Sequence, residues 1–329
     1  MAESLRWGIL ATGGIAHQFA GGLKVSKTGT LQAVGSRSIE SATKFTDQHG
    51  GTPYASYEEV LSDPNVDAVY IALPHHMHMD WTIRTAEAGK GILCEKPFTL
   101  NSLEAERALA AVKKAGVFFM EAFMYRCAPQ TLKIKELVDS GAIGKVRAIN
   151  AEFSFGAAPT WQNFRTDAAV GAGGLMDVGS YCVSFARLIT GEEPSRCEYL
   201  ANLEHGYDGY GSGALQFPGG VTMHFGTGIH LNMKNLATIY GEGGSITIDQ
   251  PWKAGGGLIH LNASGKDPET FDFAITNDQL YGYEADAVAE FFEQKETPYM
   301  SVADTVGQMK TLDALRKSAG LHFSAELQE

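Results

Sequence analysis

Between residues 5 and 122 short apolar runs alternate with helical patterns, and the alternation opens on a glycine-rich turn. "LRWGILA" reads as a strand, "TGGIA" as the turn, and "HQFAGGLKVS" as a helix with Ile15, Phe19 and Leu23 on one face. The strand signal returns in "TLQAVGS", "DAVYIALP", "GILCEKP" and "VFFMEAFMY". Helical patterns separate them, in "IESATKFTDQHG", "HMDWTIRTAEAGK" and "NSLEAERALAAVKKAG". The short "SYEEVLSD" begins with a capping box, Ser56 with Glu59 three residues on. Continuous apolar strands alternating with helices mean βαβ units and a doubly wound parallel sheet of Rossmann type.

Near residue 125 the rhythm changes. One helix, "APQTLKIKELVDSGAIG", leads into long β-runs joined by Gly- and Pro-containing turns, from "KVRAINAEFSF" to "GLIHLNA". Such runs imply a second, α+β domain with a large open, mostly antiparallel sheet. The expected division is 1–124 for nucleotide binding and 125–329 for substrate binding and oligomerisation. The last helices, "DQLYGYEADAVAEFFEQ" and "SVADTVGQMKTLDALRKSAG", have room to pack back on the first domain.

Composition narrows the partners. With 44 % hydrophobic and 19 % charged residues in 329, the chain is an ordinary globular one. A net charge of −12 and the lack of any basic run argue against nucleic acid. No apolar stretch reaches membrane-spanning length, and the first residues lack signal-peptide organisation. Cys94, Cys127, Cys182 and Cys197 lie far apart and read as reduced thiols of a cytoplasmic protein.

Four stretches carry residue types that do chemistry. "GILATGGIA" places Ala11, Gly13 and Ala16 at the three small positions of a dinucleotide fingerprint, with Thr12, Gly14 and Ile15 between them. The bare N–H groups of such a turn, at a helix start, receive a pyrophosphate. Ala11 departs from the pattern, since the first position favours a residue with no Cβ. The second strand ends in Ser36 and Arg37, with no acid before Glu40. A guanidinium there pairs with a 2′-phosphate, whereas an NAD site places a carboxylate on the ribose, so NADP is expected over NAD. A solvated loop arginine is the plainer alternative.

"ALPHHMH" supplies Leu73, Pro74, His75 and His78 beside the cofactor. The same stretch, with His76, invites a metal reading, but no carboxylate or cysteine pattern completes a site, and no metal is expected. "CEKP" ends a buried strand on Glu95, Lys96 and Pro97, at the sheet edge where open α/β folds put their chemistry. In "GGLMDVGSY" Asp177 and Tyr181 are four residues apart on an otherwise apolar helix, and a buried Asp must be hydrogen-bonded or functional. Just before it, "TWQNFRTD" offers Trp161, Asn163 and Arg165 as substrate-pocket candidates or as a surface loop. Arg126, in "MYRCAP", is a weaker candidate to reach the cleft.

Taken together, "GILATGGIA", "ALPHHMH", "CEKP", "EAFMYR", "GGLMDVGSY" and "IYGEGGSITI" resemble the glucose–fructose oxidoreductase, inositol dehydrogenase and rhizopine catabolism (Gfo/Idh/MocA) family over essentially the whole chain. The resemblance implies a Rossmann domain followed by an open-sheet domain often used for homodimers or homotetramers. It implies that Lys96 is the catalytic lysine and that the following proline is commonly cis. Tyr181 stands where many members have histidine, as in the branch of dihydrodiol and NADP-dependent xylose dehydrogenases. The reading that follows is an NADP(H)-dependent oxidoreductase passing a hydride between nicotinamide and a sugar, cyclic polyol or trans-dihydrodiol. Tyr181 would exchange the hydroxyl proton, with Lys96 lowering its pKa and Asp177 orienting Lys96 or a substrate hydroxyl. The alternatives are an NAD-linked inositol-type dehydrogenase, a non-catalytic dinucleotide-binding regulator, and an enzyme that keeps its nucleotide between two substrates.

Overall fold

A computed structural model describes residues 4–158, 160, 162–253 and 257–326. Six parallel strands form the first sheet: β1 (Leu5–Leu10), β2 (Gly29–Gly35), β3 (Thr52–Tyr54), β4 (Ala68–Ile71), β5 (Gly91–Glu95) and β6 (Phe119–Ala122). Helices α1 (Gly14–Val25), α2 (Ile39–His49), α3 (Tyr57–Ser62), α4 (His78–Glu87) and α5 (Ser102–Ala115) connect them. The order β3-β2-β1-β4-β5-β6 reverses direction between β1 and β4, and a crevice opens at the carboxyl ends of those strands. The Ser56–Glu59 capping box is formed as the sequence indicates. β6 stops earlier than "VFFMEAFMY" suggests: a 3₁₀ turn, Met124–Cys127, follows it, and Pro129 at the start of α6 (Pro129–Asp139) holds Ala128 extended.

The second sheet has eight strands. β7 (Val146–Ser154) leads to a π-helical turn, Leu175–Gly179, that runs into α7 (Ser180–Thr190). Then come β8 (Arg196–Glu204), β9 (Tyr207–Gln216), β10 (Thr222–Gly228), β11 (Leu236–Gly241), β12 (Gly244–Asp249), β13 (Leu258–Ala263) and β14 (Glu269–Asp272). Their spatial order is β14-β13-β12-β11-β7-β10-β9-β8, antiparallel except for the parallel pair β7 and β10. One face is buried, with Tyr199, Leu215, Met223, Phe225, Ile149 and Ile239 toward the core. The cross-strand register places Leu200, His224, Asn150 and Tyr240 on the opposite face. Leu200 is 81 % exposed there, so this face carries apolar surface in contact with solvent.

The chain then returns to the first sheet through α8 (Asn277–Glu290) and α9 (Val302–Ala319). α8 lies directly on α1: a Cβ added at Gly22 would come within 2.8 Å of the Gly282 amide nitrogen, so glycine permits the contact. Asp286 locks it, accepting from Ser26 Oγ at 2.6 Å and from Thr28 Oγ1 at 2.7 Å. Arg126 belongs to this framework and does not reach the cleft. Its buried guanidinium donates to Ser184 Oγ (2.9 Å), to the Ser184 carbonyl (2.7 Å) and to Asp304 on α9.

Candidate active site

The crevice above β1 and β4 is a cleft of about 640 Å³ lined by both halves of the chain. Its floor is the turn between β1 and α1. Ala11, Thr12, Gly13, Gly14 and Ile15 line it, and a Cβ built on Gly13 or Gly14 meets nothing within 4 Å. No side chain caps the α1 N-terminus and no acid lies in its first turn, so its amides stay available to an anion. Ala11 keeps a glycine-like backbone, with φ +91°, a left-handed conformation that costs an L-residue about 1–2 kcal/mol. The departure in sequence therefore leaves the turn's geometry in place. Ala16 is fully buried behind the loop, where it packs the helix on the sheet and does not line the cleft.

Ser36 and Arg37 line the cleft past the end of β2. Glu40, the first acid after that strand, is taken up as a helix-start partner: the Ser38 hydroxyl donates to it at 2.6 Å. Tyr57, which sequence reasoning missed, joins Arg37 in the wall. It is the residue after the Ser56 cap, and only the packing of α3 on the sheet brings it there.

Leu73, Pro74 and His75 form the opposite wall. His75 is buried and faces the Gly171 carbonyl at 3.1 Å through Nδ1; burial holds its pKa well below the usual histidine value. His78 lies beneath the cleft. Its ring sits among the carbonyls of Leu73 (2.7 Å), Pro97 and Phe98 (3.1 Å each), and burial pushes its pKa down to about 4 against the pull of those carbonyls. It thus joins the Leu73–His75 wall to the turn bearing Lys96. No group of three or more His, Cys, Asp or Glu side chains suited to a metal ion occurs among the described residues.

At the end of β5 the Lys96–Pro97 peptide is cis. Glu95 is buried and accepts from the Tyr70 hydroxyl and from the Lys96 amide (3.2 Å). Lys96 Nζ donates to the Asp177 carbonyl at 2.6 Å and to Asp177 Oδ1 at 3.1 Å. On the other side of that carboxylate Arg165 Nε donates to Oδ2 at 2.9 Å. Burial would raise the Asp177 pKa, but Lys96, Arg165 and His75 outweigh it and hold the carboxyl at about 2. Asp177 is therefore an anion clamped between two cations, drawn from three separate stretches of sequence. Asn163 is not in the cleft wall; its side chain accepts from the Arg165 amide at 2.7 Å and shapes the turn that presents Arg165. Phe164, stacked under that guanidinium at 4.5 Å, was not foreseen. Trp161 lies outside the described residues.

Tyr181 departs from the expected arrangement. Its hydroxyl donates to the Met124 sulfur at 3.3 Å, while Lys96 Nζ lies 5.0 Å from the ring centre, over the face. Burial, then nearby Tyr281, Glu95 and Asp177, push the phenol well above its ordinary pKa. The expectation that Lys96 lowers it does not hold here: burial dominates, and the ammonium is held by Asp177 and faces the ring. Tyr181 is a neutral phenol whose proton rests on a weak acceptor.

A Rossmann sheet whose glycine turn opens toward a lysine, an aspartate and a tyrosine fits an NAD(P)-dependent oxidoreductase acting on CH–OH groups, and this is the class of protein the chain belongs to. The comparisons agree. Residues 5–123 match the model described as "Oxidoreductase family, NAD-binding Rossmann fold", and residues 131–247 match the GFO/IDH/MocA C-terminal domain. The chain belongs to the Gfo/Idh/MocA oxidoreductase family. It is 33 % identical to mouse (Mus musculus) trans-1,2-dihydrobenzene-1,2-diol dehydrogenase, covering 97 % of this chain and 98 % of that one. It is 32 % identical to D-xylose 1-dehydrogenase (NADP(+)) 2 of Haloferax volcanii, covering 98 % and 100 %. A 3-ketoreductase from Actinomadura kijaniata, solved with NADP and TDP-benzene, superimposes with a TM-score of 0.86 at 28 % identity over 96 % and 98 % of the chains.

Proposed function

We propose that the protein is an NADP(H)-dependent oxidoreductase acting on a hydroxyl or carbonyl of a sugar, cyclic polyol or trans-dihydrodiol. The observation that carries this reading is the Lys96–Asp177–Arg165 array at one end of a cleft whose other end bears Ser36 and Arg37. The Gly13–Gly14 turn would hold the diphosphate, and Arg37 with the Ser36 hydroxyl the 2′-phosphate. When bound, the nicotinamide supplies the hydride acceptor or donor.

The chain's own groups handle the proton and the charge. Asp177 fixes the Lys96 ammonium at the cleft wall, where it can donate to the substrate oxygen and stabilise alkoxide character there. Tyr181 carries the proton. In the direction of carbonyl reduction its O–H bond breaks, and the proton passes to the oxygen of the reacting carbon. Met124 sulfur is a weak acceptor that a substrate oxygen displaces. The relatives named for xylose and dihydrodiol dehydrogenation favour neutral vicinal hydroxyls as the substrate class.

The open sheet face bearing Leu200 and Tyr240 supports a homodimer or homotetramer, because apolar side chains exposed on a flat sheet are commonly covered by a second copy. The functional reading is tested by assaying NADP⁺ reduction with a panel of aldoses, cyclic polyols and trans-dihydrodiols. Turnover of one class with Lys96 intact supports it; nucleotide binding with no turnover of any of them favours the regulator.

A further inference from the structure

The glycine pair before the π turn is untouched by the chemistry above, yet its surroundings are specific. Gly173 has φ +107°, and a Cβ on it would lie 1.8 Å from Oδ1 of Asp208, at the start of β9. Gly174 packs against β10: its carbonyl accepts from Thr227 Oγ1 at 2.8 Å, and a Cβ there would come within 3.0 Å of Gly228 Cα. The two glycines thus form a notch, and the Asp208 carboxylate fills it.

Asp208 is 1 % exposed. Its Oδ2 accepts from the Leu175 amide at 2.7 Å and from the Tyr199 hydroxyl at 2.6 Å. β9 makes room for that hydroxyl with Gly211, where a Cβ would sit 2.3 Å from it. Burial raises the Asp208 pKa to about 6, with Tyr199 and the Leu175 and Gly174 amides restraining the rise, so the group is ionised at neutral pH. The notch connects directly to the catalytic centre. The Gly173 amide donates to the Arg165 carbonyl at 3.0 Å, and the Gly173 carbonyl accepts from the Asp177 amide at 3.2 Å.

We propose that Asp208 is a positioning residue: by gripping the Gly173–Leu175 notch from the open sheet it holds both Asp177 and Arg165 in register with Lys96. The proposal rests on the catalytic reading of Asp177. Both donors at Oδ2 want an acceptor, so an amide in place of the carboxylate weakens the grip without removing the side chain's bulk. Tyr199 is the second handle on the same grip.

The test compares Asp208→Asn, Tyr199→Phe, Asp177→Asn and the Asp177→Asn/Asp208→Asn pair in the full chain, following kcat, KM, NADPH affinity and melting temperature. Asp208→Asn is expected to lower kcat by about 10- to 100-fold, as the two charge-assisted hydrogen bonds at Oδ2 become neutral ones, with KM and NADPH affinity within about twofold. In the Asp177→Asn background it should cost clearly less than it does alone, because part of its effect passes through that carboxylate and only the Arg165 part is left. Tyr199→Phe should lower kcat in the same direction by less, and it carries the test should Asp208→Asn fail to fold. Wild-type kcat in both Asp208→Asn and Tyr199→Phe while Asp177→Asn is slow would overturn the proposal, as would losses that multiply in the pair. Wild-type kcat in Asp177→Asn would instead overturn the catalytic reading on which the proposal stands.

Discussion

Lys96 Nζ lies 5.0 Å from the centre of the Tyr181 ring, over its face, and not at its hydroxyl. The two side chains are therefore separate tools. Lys96 is committed to Asp177 and presents charge to the cleft, whereas Tyr181 stays protonated and presents a donor. In the proposed mechanism the chemistry divides into charge stabilisation by one and proton delivery by the other, and each role can be tested alone.

Lys96→Ala removes the cation but leaves the β1–α1 turn and the Arg37 end of the cleft intact. The expected result is a loss of about 10²–10³ in kcat, the usual magnitude for one preorganised electrostatic donor, with NADPH binding retained. Stopped-flow hydride transfer together with fluorescence titration would separate the two. Lost binding with normal turnover of the bound fraction would mean that Lys96 only anchors the nucleotide.

Tyr181→Phe keeps the ring that packs against Phe123 and Phe153 and deletes the proton donor. Carbonyl reduction should slow by about 10²–10⁴ with a small change in melting temperature. Steady-state rates between pH 6 and 9 would check it. A rate close to wild type across that range would transfer the proton role to another group.

Glu121, buried in β6, gives a pH dependence of stability. Burial raises its pKa to about 8, over the opposing pull of the Thr305 hydroxyl and the Phe98 amide. An unfolded glutamate titrates near 4.3, so between those values the native state holds a proton that the unfolded state has lost. The folded chain then binds more protons, and its stability must fall as pH rises from about 4.5 through 8. Glu121→Gln should flatten that slope by about 1 kcal/mol per pH unit in urea titrations between pH 6.5 and 8. An unchanged slope would place the proton elsewhere.

The Rossmann half was legible because its signals are local: an apolar run, a glycine turn and an amphipathic helix each occupy a few consecutive residues. Lys96 at a strand end and Ser36–Arg37 in place of an acid were legible for the same reason. The clamp on Asp177 was not, because its partners are 81 and 12 residues away and meet only where the π turn, packed on the second sheet, reaches the Lys96 turn of the first. Nor does spacing tell how deeply Tyr181 is buried or on which side of its ring the ammonium lies, and burial is what raises its pKa. His78, which ties two loops together beneath the cleft, Asn163 and Ala16 were all named as site residues but do not line the cleft. Of the last two, one shapes the Arg165 turn and the other packs α1 on the sheet, roles that a linear pattern does not distinguish from contact.

The most direct test of the account is a fluorescence titration of the purified protein, wild type and Arg37→Ala, with NADPH and with NADH. Wild type is expected to bind NADPH at least about tenfold more tightly, a difference of about 1.4 kcal/mol, and Arg37→Ala to lose most of this preference with little change for NADH. Preference for NADH in the wild type, or an equal loss for both nucleotides in Arg37→Ala, would contradict it.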